Sequence, residues 1–271
     1  MHVFSRPRLV SVLPGILALL VMFGQAKAAS PVYVLEELMV GATEQQLCTK
    51  DGQWCVGMIS GGEGDVGLIV TNGGETVGEM ALSTNEGDPW YDESFEIWPG
   101  IIRPESGEGI TEGPVLIGIE RGERASYSGG GASVTILEMI RISPMGTEAA
   151  KTVLSVPAST YKMIRACFNE QDMGHRRGAC HDEYVLEGTI TPDRQTVNGL
   201  PVLRYDAEAS SFPRGVSLHT DSTTMPPLKE SDLAYEADPA CTYSRLFHFD
   251  REAGIYQPDA PLPDCSDYTI P

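Results

Sequence analysis

Val115-Leu116-Ile117-Gly118-Ile119 and Val134-Thr135-Ile136-Leu137-Glu138-Met139-Ile140 decide the fold. Both runs are rich in β-branched residues and too short for helices, and Gly129-Gly130-Gly131 supplies a turn between them. A strand turns successive side chains to opposite faces, so a run that is apolar on both faces belongs between two layers. These two strands therefore predict a central hairpin with packed material above and below it.

Other strands read as half-exposed. Tyr184, Leu186 and Ile190 alternate with Glu183, Glu187 and Thr189, and Tyr243, Phe247 and Phe249 alternate with Ser244 and His248. Further strand signals fall at 32–35, 54–60, 66–71, 76–82, 94–98, 152–156 and 202–207, with turns at Gly61-Gly62, Asn72-Gly73-Gly74 and Asn198-Gly199. No stretch keeps a 3.6-residue apolar period. Short helical turns are open only at Thr160–Glu170 and Leu228–Glu236. The fold class is thus all-β, an antiparallel meander.

The spacing suggests loosely repeated units near the length of a four-stranded propeller blade, one over Glu37–Leu82 and one over Pro114–Pro157. A β-sandwich with long loops is the alternative. Nineteen of the 29 glycines lie between Gly52 and Gly131, and ten of the 19 prolines between Pro192 and Pro271. The front half therefore favours tight turns and the back third longer, stiffer connections. Residues 29–271 read as one domain, with 158–160 as the one candidate sub-boundary.

Residues 1–28 read as a secretory signal peptide. Arg6 and Arg8 precede an uncharged run from Leu9 to Gly24, and Ala26-Lys27-Ala28 fits cleavage before Ala29. The run is short for a membrane span of roughly 20 residues and contains Pro14 and Gly15. A Sec-type bacterial export signal follows, with the periplasm or the medium as destination and no integral membrane segment after cleavage. The whole chain has 19 basic and 38 acidic residues, a net −19. The leader contains three of the basic residues and no acid, so the remainder carries −22. Such a balance excludes a nucleic-acid binder, which needs clustered Lys and Arg. It steers toward cationic partners, a basic protein or a divalent ion, or toward a glycan held by hydrogen bonds.

Six cysteines suit an oxidising compartment. Neighbour pairing, Cys48–Cys55, Cys167–Cys180 and Cys241–Cys265, places a turn signal inside every loop. No C-x2-C pair suggests structural zinc.

No nucleophile-elbow, zincin or P-loop motif is present. The most unusual segment is Asp88-Pro89-Trp90-Tyr91-Asp92-Glu93-Ser94-Phe95-Glu96-Ile97-Trp98. As a strand it puts Trp90, Asp92, Glu96 and Trp98 on one face, and Tyr91, Phe95 and Ile97 on a core-like one. Two indoles beside two carboxylates form a candidate ligand surface for a sugar or a cation. The same acids could instead serve glycoside hydrolysis, given a raised pKa on one of them. A plain reading has the tryptophans packed and the acids solvated. His175-Arg176-Arg177-Gly178-Ala179-Cys180-His181-Asp182-Glu183 reads either as a metal site or as a solvated disulfide turn whose arginines meet an internal carboxylate. Gly61-Gly62-Glu63-Gly64-Asp65 and Asn85-Glu86-Gly87-Asp88 are incomplete calcium-type loops.

Three functions stay in view. The first is a non-catalytic exported binding or scaffolding protein of the envelope, needing no cofactor. The second is an exported hydrolase acting on glycans, and the third a calcium-stabilised surface protein.

Overall fold

The computed structural model describes residues 31–43, 45–60, 66–82, 91–105 and 113–269. The leader, both calcium-type loops and Trp90 lie outside the described residues.

The strands run β1 (Tyr33–Glu37), β2 (Met39–Val40), β3 (Gln46–Cys48), β4 (Trp54–Ser60), β5 (Val66–Asn72), β6 (Glu75–Leu82), β7 (Tyr91–Pro104), β8 (Val115–Tyr127), β9 (Gly130–Ile142), β10 (Lys151–Arg165), β11 (His181–Val197), β12 (Leu200–Phe212), β13 (Glu236–Ala237), β14 (Tyr243–Asp250) and β15 (Ile255–Pro258). All pairings are antiparallel. A ten-stranded sheet has the order β1-β7-β8-β9-β10-β11-β12-β14-β15, with β13 on the side of β12. A five-stranded sheet has the order β2-β3-β4-β5-β6.

The chain is therefore an all-β antiparallel meander laid out as two packed sheets, not as four-stranded blades around a channel. The first expected unit became the small sheet. The second became β8, β9 and much of β10, which continue without interruption into β11 and β12. Residues 158–160 fall inside β10.

The two-faced apolar strands explain the layering. Leu116, Leu137 and Met139 point into one core, with Ile102, Leu154, Val156, Leu203, Tyr205 and Phe247. Val115, Ile117, Ile119, Ile140 and Ile142 point the other way, against Trp54, Val56, Leu68 and Val70 of the small sheet. The sheets approach closely at Gly78, where a Cβ atom would stand 2.9 Å from Ile142 Cδ1.

The large sheet curls around the first core. Tyr33 Oη on β1 donates to the carbonyl of Gly199, in the turn between β11 and β12, at 2.9 Å. Thr196 Oγ1 donates to the Pro31 carbonyl at 2.7 Å. That turn is Asn198-Gly199, both left-handed (φ 55° and 87°), as a tight hairpin of right-handed twist requires. β10 carries register shifts at 152/154 and 157/159. Bulges of this kind bend a strand and increase its twist. One side of β12 accordingly serves two cores: Leu203, Tyr205 and Ala207 enter the first, and Ala209 enters a third with Tyr184, Leu186, Val216 and Tyr268.

The segment between β12 and β14 and the terminal helix cover this third core. Helix α1 (Glu170–His175) follows β10, its N-terminus capped by the Asn169 side chain on the Asp172 amide. Helix α2 (Ser266–Thr269) buries Tyr268. Strand geometry thus persists to Arg165, and the helical turn expected at 160–170 begins only at 170. Within 228–236 a single 3-10 turn forms at Glu230–Asp232. Three disulfides, Cys48–Cys55, Cys167–Cys180 and Cys241–Cys265, fit an oxidising, exported environment. Among the described residues no helix is long and apolar enough to cross a membrane.

Candidate functional site

The acidic stretch of the sequence becomes the first half of β7. Phe95 and Ile97 pack on the core between the sheets, as their alternation requires. On the opposite side Ser94 and Glu96 are exposed. The backbone of Asp92 stands across from Arg124. Trp98 is half-buried, packed against the first core. Its indole lies over two glycines: a Cβ on Gly100 would come within 2.6 Å of the ring and one on Gly118 within 2.9 Å. The absence of side chains at 100 and 118 is what makes room for it.

The register brings in an acid that the linear reading missed. Glu96 lies directly opposite Glu120 on β8. Opposed Cβ atoms are roughly 5 Å apart, and like charges so placed are unfavourable. Partial burial, and then the charge of Glu96, raise the Glu120 carboxyl above the ordinary glutamate range. Ser94, Gly122 and Thr135 continue this surface into a shallow groove of about 280 Å³, whose lining also includes Arg124. Asp92 and Glu96, by contrast, are four residues apart on one extended strand, roughly 13 Å by strand rise. Carboxyls that cleave glycosidic bonds stand roughly 5–10 Å apart. Glu96 and Glu120 are the pair whose spacing approaches that range. In sequence they are separated by a turn and two half-strands, so only the pairing could join them.

The other side of the same strands is also acidic. Arg121 lies between Glu93 (3.6 Å), Glu138 (3.2 Å) and Glu123, in a cleft of about 420 Å³ closed on the far side by Met80, Ala81 and Leu82 of the small sheet. Burial opposes the charge of Arg121, but Glu138 and Glu123 more than offset it and hold its proton more tightly than usual. Three carboxylates thus surround one guanidinium on this face.

The His175–Glu183 segment is held by a buried ion pair. Arg176 is buried, donates from Nε to the Ala179 carbonyl at 2.8 Å and pairs with the equally buried Asp182. Ser222 donates to the second oxygen of Asp182. An arginine does meet an internal carboxylate here, and it ties the Cys167–Cys180 loop to the segment after β12. His175 and His181 are exposed. Among the described residues no group of three or more His, Cys, Asp or Glu side chains is placed to hold a metal ion. Comparisons of the chain with protein families, with curated proteins and with solved structures find no match, so its function is read from these side chains alone.

Proposed function

We propose that the chain is a non-catalytic exported protein of the bacterial envelope, a binding or scaffolding domain that receives cationic partners on its acidic strands. The observation that carries this reading is the concentration of carboxylates on both sides of β7–β9, with Glu96 directly opposed to Glu120 and three acids around Arg121. Opposed like charges cost stability in the free protein, and a cation seated between them turns that cost into affinity. The leader pattern and the disulfides support export to the periplasm or medium. The test is binding of a lysine-rich peptide to the protein lacking residues 1–28, followed at low and moderate salt. Glu96→Gln with Glu120→Gln should weaken it by about tenfold or more at low salt, with the difference shrinking as salt screens it. Equal binding by variant and parent would overturn the reading.

A second reading, glycan hydrolysis, is favoured by one observation: the Glu96–Glu120 pair has one carboxyl shifted upward, as an acid and nucleophile pair requires. Turnover of an oligosaccharide by the parent that vanishes in Glu120→Gln would establish it. Calcium stabilisation is tested separately, by a melting temperature that falls when a chelator is added.

A further inference from the structure

A second cleft, on residues distinct from β7–β9, opens over the third core. It measures about 580 Å³, within the range of small-molecule sites, and lies between the terminal helix and the segment after β12. Its charged lining is Glu236, Asp238 and Asp267, and its one basic group is the exposed imidazole of His219, 3.2 Å from Asp267. Its aromatic floor is Tyr184 and Tyr268, stacked edge to face with centroids 6.3 Å apart.

Tyr184 is the decisive residue. It is 4 % exposed, it lines the cleft, and its hydroxyl has no hydrogen-bond partner among the described residues. Buried hydroxyls without partners are rare and costly, and this one belongs to a residue that lines the cleft. Tyr268, beside it, is satisfied: its hydroxyl donates to Asp238 at 3.0 Å.

The lining selects the ligand's charge. An anion would meet three carboxylates. A single metal ion does not fit either, because these acids are not gathered closely enough to ligate one. Dispersed carboxylates over tyrosine rings suit an organic cation long enough to span them, its ammonium group accepted by oxygen and faced by aromatic rings. Basic groups flank the cleft without lining it, and the buried Arg176, paired with Asp182, lies near enough to Tyr184 to act on its hydroxyl. Arg214 stands 3.9 Å from Glu236, and Lys162 donates to the backbone carbonyl of Asp267 at 2.6 Å. We infer that this cleft binds an alkylammonium group carried on a short aliphatic chain, with Tyr184 and Asp267 as its contacts.

The group could arrive as a free diamine or as a lysine side chain of a protein. The test is calorimetric titration of the protein lacking residues 1–28 with 1,4-diaminobutane, with Nα-acetyl-lysine amide, and with succinate, which has the same carbon count and the opposite charge. Saturable binding of either amine and none of succinate is expected. Tighter binding of the diamine assigns the free form, and tighter binding of the lysine amide assigns a protein side chain. Asp267→Asn, on an exposed position, should weaken the amine by about tenfold. Tyr184→Phe should weaken it as well while leaving the melting temperature equal or higher, because it removes an unsatisfied buried hydroxyl. Absence of amine binding at millimolar concentration, equal binding of succinate, or unchanged affinity in both variants would overturn the inference. None of these results bears on the Glu96–Glu120 groove, whose variants are tested apart.

Discussion

Glu120 shows how one residue couples charge to stability. Its carboxyl binds a proton more tightly in the folded chain than in the unfolded one, because of burial and of Glu96 opposite. Between the unfolded and the folded pKa the native state therefore holds more protons, and stability falls as pH rises through that window. Glu120→Gln should raise stability at pH 7 by about 0.5 kcal/mol and flatten this part of the pH dependence, as measured by urea unfolding between pH 4.5 and 7. Arg176 is the opposite case. Its loss would leave Asp182 charged and buried, with Ser222 as its one remaining side-chain partner among the described residues. Arg176→Leu should cost about 3–5 kcal/mol, and a second change of Asp182 to Asn should recover part of that. Two residues thus separate a partly buried acid that the fold tolerates from a fully buried one on which it depends.

At the scale of elements, the crossing of β10, β11 and β12 is the least forgiving place. A Cβ on Gly188 would come within 2.2 Å of the Pro157 carbonyl and 2.7 Å of the Tyr205 ring, whose hydroxyl donates to that same carbonyl at 2.9 Å. Gly188→Ala should destabilise by about 1–3 kcal/mol in the same unfolding assay, although alanine suits a strand no worse than glycine. The alternation at Tyr184, Leu186 and Ile190 made this strand legible, and the doubly apolar β8 and β9 made two layers legible, because both signals are local. Turn dipeptides inside the cysteine loops likewise pointed to the neighbouring pairs that are bonded. What stayed hidden depends on pairing between distant segments. β1 beside β7 and β12 beside β14 are not neighbours in sequence, and the bulges of β10 have no residue signature. The same limit governed the sites. Glu96 stood out through its tryptophan neighbours, but Glu120 matters only through register, and Tyr184 read as an ordinary core residue until segments from 211 to 268 closed around it.

For the whole molecule, the disulfides are unequal in what they hold. Cys48–Cys55 closes a hairpin already paired in its sheet. Cys241–Cys265 spans 24 residues and anchors the segment that carries α2 and the third core. The loop-entropy model assigns this bond about 3.5 kcal/mol. Replacing both of its cysteines by serine should lower the melting temperature and raise hydrogen exchange around Tyr268 and Tyr184 first, while β8 and β9 stay protected.

The bond from Tyr33 to Gly199 has a consequence in time. It joins residues 166 positions apart, and it fastens the first strand to the β11–β12 turn far along the chain. As the chain emerges from its N-terminus, β1 must wait for β7 and then for the β11–β12 hairpin before its side of the first core can close. Non-local closure of this kind makes folding slow and leaves apolar strands uncovered in the interval. A nascent chain stopped before Leu200 would expose Tyr33 and Ile102 to whatever chaperone or translocation partner is at hand.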